Sequence, residues 1–138
     1  DIQITVAALN QDVINAMASI GYSLSEGNIG DHVPPGQNDN PHHWQKLFFN
    51  PPPDQRRTHV HVRLPGSANQ RYPLLFRDYL RVHPATAEAY ARFKKMLSEH
   101  LADPFMYPAV KDPAVDLIYL AAEEWAQQVN WQPGASDA

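Results

Sequence analysis

Cysteine is absent from this chain. Disulfides and thiolate-held zinc are thereby excluded, and a cytoplasmic setting is compatible with the composition. Long apolar runs are also missing. None approaches the roughly 18–20 residues a membrane helix requires, so no membrane span is expected. Nor is there a basic excess: the formal charge is −4, which argues against general nucleic-acid binding and leaves room only for a local basic pocket. No glycine-rich phosphate loop, nucleophile elbow or paired-glutamate motif occurs, and no internal repeat or low-complexity tract. What is present suits a globular domain: 138 residues, 43% hydrophobic and 19% charged. That is enough for one domain, 1–138, with a real core. The 13 prolines fall in loops and at helix starts, where they punctuate the chain.

The strongest pattern runs from Thr58 to Pro84. Val60, Val62 and Leu64 alternate with His59, His61 and Arg63, the period-two signature of a half-buried strand. Its polar side carries two imidazoles and a guanidinium. Pro73 then stands where the first residue of a helix is expected. Along that helix Leu75, Phe76, Tyr79 and Leu80 form one stripe, and Arg77, Asp78 and Arg81 gather opposite. Arg77 and Arg81 are four apart, so they share a face and can grip one anion. Solvated surface charge is the plain alternative. An arginine turned inward needs Asp78, another acid or a bound anion beside it.

The chain opens on a second strand pattern, Ile2, Ile4 and Val6 against Asp1, Gln3 and Thr5, with no initiating Met. These residues are therefore expected to be the later part of a longer chain. If this strand pairs with the histidine strand, Asp1, Gln3, His59 and His61 share one polar sheet face. Asn10 reads as a helix N-cap for Val13, Ile14, Met17 and Ile20, with Gly21 as the stop and Leu9 against Ile14 as a staple. Tyr22–Ser25 and Trp44–Phe49 read as further strands, separated by a loop over Asp31–His43. Lys46 lies within reach of the histidine face. Three consecutive helices follow: one from Pro73, one from Pro84 with Tyr90, Phe93, Leu97 and Leu101 inward, and one capped by Asp112 with Pro113 first. Ala114, Leu117, Ile118, Ala121, Trp125 and Val129 are the last helix's expected inner face. The tail Gly134–Ala138 reads as frayed. The class is α+β.

His59 and His61 are the sharpest pair. Residues two apart on a strand point the same way, about 6–7 Å apart. Two imidazoles there suit phosphate contact, proton transfer or, with Asp1, a two-histidine one-carboxylate metal set; a solvated pair is the simpler account. His32, His42 and His43 have no regular spacing to another ligand and read as loop residues.

These residues resemble the GrpB family, a branch of the nucleotidyltransferase superfamily. The resemblance rests on Asp1-Ile2-Gln3-Ile4, on His59-Val60-His61-Val62, on Gly66-Ser67, and above all on Phe76-Arg77-Asp78-Tyr79-Leu80-Arg81-Val82-His83-Pro84. Tyr90, Lys94, Tyr107, Lys111-Asp112-Pro113 and Glu123-Glu124-Trp125-Ala126 continue it. A similar domain occurs fused behind dephospho-CoA kinase in some actinobacteria, and Asn130-Trp131-Gln132-Pro133 is similar to that form. The resemblance implies a nucleotidyltransferase-like mixed or antiparallel sheet with helices and a cleft over the polar sheet face. It also implies a glycine-serine phosphate motif ahead of the first strand, and this sequence starts after that point. Asp1 matches the superfamily's first metal-binding aspartate, which makes it the expected Mg²⁺ ligand. Gln3 stands where the second carboxylate is usual, a poor arrangement for a two-metal phosphoryl site.

The expected activity is binding of a nucleotide or other phosphate-bearing small molecule. If there is catalysis, it is nucleotidyl or phosphoryl transfer with Asp1, His59 and His61 as catalytic residues. Gln3, Lys46, Arg77, Asp78 and Arg81 are the ligand-binding candidates. The alternatives are a non-catalytic accessory domain that supports a dephospho-CoA kinase neighbour and a histidine-based metalloenzyme.

Overall fold

The computed structural model describes residues 1–135; Ser136–Ala138, most of the expected frayed tail, lie outside the described residues. The chain divides into two compact units, Asp1–Arg71 and Tyr72–Ala138.

The first unit is built on a mixed sheet. Strand β1 (Ile2–Thr5) is followed by helix α1 (Gln11–Ser19), then β2 (Ser23–Leu24), β3 (Leu47–Asn50) and β4 (Val60–Arg63), in the order β1-β4-β3-β2. β1 runs parallel to β4 and the other pairs are antiparallel. Pairing sets Ile2 beside Val60 and Gln3 beside His61, and Phe48 beside His61 from the other side. With side chains alternating across the sheet, one face holds Phe49, Val60 and Val62. These pack against Val6, Leu9, Val13, Ile14, Met17, Tyr22, Leu24 and Leu47. The amphipathic α1 thus covers the apolar face. Asn10 caps it, accepting from the Val13 amide at 3.2 Å, and Gly21 leaves it at φ +87°, where a side chain would be strained.

The strand expected from Trp44 begins at Leu47. Upstream, Pro41–His43 form a 3₁₀ turn, and a single bridge joins Gly30 to Gln45. Two backbone bonds, Asp31 N to Trp44 O at 2.9 Å and Lys46 N to Ile29 O at 2.9 Å, lay the start of the long loop alongside the approach to β3. Trp44 is buried, and its indole donates to the Asn38 carbonyl, which pins the rest of that loop.

Helix α2 (Ala68–Val82) begins five residues after Arg63, the last residue of β4, and Pro73 lies inside it. The expectation that Pro73 opens the helix is corrected by the turn before it. Gly66 adopts φ +74°. Ser67 precedes the first helical residue, and the Gln70 side chain reaches back to the Gly66 amide at 3.3 Å, a variant of the capping box. The same correction applies to α4 (Tyr107–Val129), which starts well before Pro113 and carries Pro108 in its first turn. Ahead of it, Asp103 caps a 3₁₀ turn over Pro104–Met106. A favoured first-turn residue is not confined to the first turn: Pro73 and Pro113 lie inside their helices, where each removes one backbone hydrogen bond.

The second unit holds the rest of α2, then α3 (Pro84–His100) and α4, so three consecutive helices do end the chain. Its core is Leu75, Tyr79, Tyr119, Ala122 and Ala126, flanked by Tyr72, Phe76, Leu80, Ile118, Ala121, Trp125 and Trp131. On α4 the buried line is Val115, Tyr119, Ala122 and Ala126, one step round from the expected stripe. Leu117 is 72% and Val129 51% exposed. That helix is apolar on several sides, and its true phase is set by the small Ala122 and Ala126, which admit the α2 aromatics. On α3 the expected stripe is right in phase but only half-buried; Phe93, Leu97 and Leu101, with Met96 and His100, line an open groove of about 390 Å³. No helix among the described residues is long and apolar enough to cross a membrane.

Candidate anion-binding face

The sheet face opposite the core carries the chemistry. The register puts Asp1, Gln3, His59 and His61 on it together, with Arg63 and Phe48. Lys46, just before β3, joins them.

Beneath that face lies a buried charged cluster centred on Asp31. Lys46 Nζ donates to Asp31 Oδ1 at 2.7 Å, and Arg63 Nε to Oδ2 at 2.9 Å. Asn69, from the first turn of α2, donates to Oδ2 at 2.9 Å and to the Gln45 carbonyl at 2.9 Å. Ser67 Oγ lies 2.7 Å from Asn69 Oδ1. Lys46, Arg63, Ser67 and Asn69 are all buried. The remaining Arg63 nitrogens face outward along the sheet: Nη1 donates to Gln3 Oε1 at 2.6 Å and Nη2 lies 3.2 Å from His61 Nδ1. Gln3 in turn donates to the Gln70 carbonyl at 3.2 Å. Each partner is needed by the others, since stripping one charge from a buried pair costs about 3–5 kcal/mol.

The electrostatics follow from this packing. Burial pushes the Asp31 carboxyl upward, but bonds from Arg63 and Lys46 and their positive charges outweigh it and hold it below the usual carboxylate value. Burial, aided by Arg63 and Lys46, lowers the His61 ring to about 4, against a weaker opposing pull from Asp31. His59 is also lowered, first by burial and then by Arg57. Both rings are therefore neutral at pH 7. His59 Nδ1 lies 3.2 Å from the exposed Asp1 carboxylate. Phe48 sits between the two imidazoles, 5.4 Å from His59 and 5.0 Å from His61 by ring centroid, with Lys46 Nζ 5.3 Å from its own centroid.

The donor set does not fit a resident magnesium centre. Gln3 gives its carbonyl oxygen to Arg63, both Asp31 oxygens are taken by Lys46, Arg63 and Asn69, and Asp1 brings one carboxylate. Among the described residues no group of three or more His, Cys, Asp or Glu could hold a metal ion.

The arginine pair belongs to the second unit. Arg77 Nε donates to Asp78 Oδ1 at 2.8 Å, and Arg81 Nη1 lies 3.6 Å from the same oxygen. Trp131 donates its indole proton to Asp78 Oδ2 at 3.1 Å. Asp78 is thus the acid beside both arginines, and it ties the closing Asn130-Trp131 segment to α2.

Sequence reading missed Asp31, Ser67 and Asn69 as members of the cluster, and it placed Arg63 on the polar strand face without counting it among the site residues. For Arg63 the signal existed: it continues the phase of His59 and His61, and an arginine ending a buried strand calls for an acid. For Asp31, at the head of an irregular loop, no periodicity could have found it.

Comparison with known proteins agrees with this architecture. The GrpB protein family model matches residues 1–120. A dephospho-CoA kinase of Mycobacterium leprae is 31% identical over 96% of this chain and 35% of its own length. A UPF0157 protein of Deinococcus radiodurans is 33% identical over 90% of this chain and 55% of its own. The chain thus spans about a third of the kinase relative. The crystal structure of conserved protein GrpB from Enterococcus faecalis superposes with a TM-score of 0.59 at 23% identity, covering 89% of this chain and 69% of that one; it supports the α+β fold. This chain belongs to the GrpB family.

Proposed function

We propose that this domain binds a nucleotide or another phosphate-bearing small molecule, in the cytoplasm, on the polar face of its sheet. One observation carries the reading: two buried cations, Lys46 and Arg63, share one half-buried carboxylate, Asp31. The surplus positive charge lies under a face that displays Gln3, His59 and His61. An anion there offsets a charge that burial otherwise makes costly, and oriented donors bind it without reorganising. Arg77 and Arg81, which share Asp78, are a separate anion-contact candidate within the second unit. Should the domain catalyse, the class is nucleotidyl or phosphoryl transfer, with His59 beside Asp1 as the proton-handling pair. Magnesium belongs to this reading only as the counter-ion a polyphosphate brings with it, near Asp1. Calorimetry with pyrophosphate and ATP tests it. Wild type binds both, and His61→Ala weakens binding. Wild-type affinity no better than that of His61→Ala overturns it.

A second reading has its own support. Phe105 is 93% and Leu117 72% exposed, and α3 lines an apolar groove. Relatives named dephospho-CoA kinase match this chain over about a third of their length. On this reading the helical unit docks a kinase domain. Co-expression with a dephospho-CoA kinase yields a complex that Leu117→Ser dissociates; no complex on size exclusion removes the idea.

A further inference from the structure

His59 and His61 lie two residues apart on β4 and face the same side, yet their Nδ1 atoms meet opposite partners. His61 Nδ1 lies 3.2 Å from Arg63 Nη2. A guanidinium only donates, so that ring nitrogen must present its lone pair, and the proton of the neutral imidazole sits on Nε2. Arg63 cannot easily turn away. Its side chain is 8% exposed, and its other nitrogens are engaged by Asp31 and Gln3. His59 Nδ1 lies 3.2 Å from Asp1 Oδ1. A carboxylate only accepts, so there the proton sits on Nδ1 and Nε2 keeps its lone pair. We infer that Asp1 and Arg63 hold the two histidines in opposite neutral tautomers, making one face that offers a donor at His61 and an acceptor at His59.

Such a pair matches a ligand carrying a phosphoryl oxygen and a hydroxyl about 6–7 Å apart, the spacing of alternate strand residues. His61 Nε2–H donates to the phosphoryl oxygen, and His59 Nε2 accepts from the hydroxyl. A sugar phosphate has both groups; inorganic phosphate satisfies chiefly the first. This assignment of ligand class rests on the phosphate-binding reading above, whereas the tautomers stand without it. It also separates two residues that sequence treats alike. His61, with Arg63 as its positioning residue, is a fixed donor and a poor base, while His59 has the geometry of a base oriented by a carboxylate.

Two-dimensional ¹H–¹⁵N spectra of the imidazole rings, recorded at pH 7.5 without ligand, decide the matter. The expected pattern is protonated Nε2 at His61 and protonated Nδ1 at His59. Two rings in the same tautomer, or either ring doubly protonated, overturn the inference whatever the protein binds. Asp1→Ala, which removes the acceptor, supplies a second test that leaves the buried cluster untouched: the His59 pattern changes and that of His61 does not. Titration then addresses ligand class. AMP shifts both rings, and His59→Phe weakens AMP about tenfold, the worth of one hydrogen bond, while leaving inorganic phosphate unchanged. Equal losses for AMP and phosphate overturn the assignment of His59 to a hydroxyl.

Discussion

At the scale of single residues, the polar sheet face is governed by what lies under it. His61 is neutral because burial, and after it the Arg63 and Lys46 charges, disfavour its charged form, and that has a consequence for stability. Its folded value is about 4 against an ordinary 6.5. The unfolded chain therefore takes up the proton first, so the contribution of His61 is complete above pH 6.5 and drains away as pH falls toward 4. Asp31 behaves likewise but lower, losing its contribution only as pH falls below its ordinary 3.8. Urea midpoints measured at stepped pH should thus fall between pH 6.5 and 4 in wild type and fall less steeply in His61→Gln. Equal slopes would show that His61 titrates normally in the folded protein. The face itself was legible in sequence, since Val60 and Val62 against His59 and His61 fix the phase. The acid at its centre was not. Asp31 reaches the cluster through a loop whose path depends on the Gly30–Gln45 bridge and the anchoring of Trp44, long-range facts that no local pattern encodes.

At the scale of elements, strands were easier to read than helix ends. A strand's two faces differ in every second residue, and a slip of one would bury His61 and expose Val62, so sequence specifies them strongly. Helix starts are specified weakly. Pro73 and Pro113 both invite placement at a first turn, while the operative start of α2 is the Gly66-Ser67 turn with Gln70 folded back on it. The inner face of α4 was read only in part, for a related reason: Ile118, Ala121 and Trp125 pack against the helical core, but Leu117 and Val129 are apolar and turned outward. This gives a paired test with one residue type. Leu75 is fully buried, so Leu75→Ala costs about 2–5 kcal/mol. Leu117→Ala, on the exposed side, stays within about 0.5 kcal/mol. Chemical denaturation of the two variants compares them directly, and similar losses would restore the stripe that periodicity suggested.

At the scale of the whole molecule, two compact units each carry their own apolar cluster, one around Phe49, Val60 and Val62 and the other around Leu75, Tyr79 and Tyr119. Neither is large, and small cores are marginal on their own. What the units share is covalent and helical. The first turn of α2 supplies Asn69 to the Asp31 cluster, and its later turns supply Leu75 and Tyr79 to the helical core. A helix is cooperative along its length, because its nucleus is costly and each added residue extends an existing ladder. Melting the helical core therefore frays the turn that holds Asn69, and loss of the Asp31 cluster removes the packing at the helix start. The expected outcome is a single cooperative transition in scanning calorimetry, displaced to lower temperature by Phe49→Ala and by Leu75→Ala alike, with calorimetric and van't Hoff enthalpies agreeing. Two resolved transitions, each moved by only one of these substitutions, would show instead that α2 does not couple the units and that each is stable by itself.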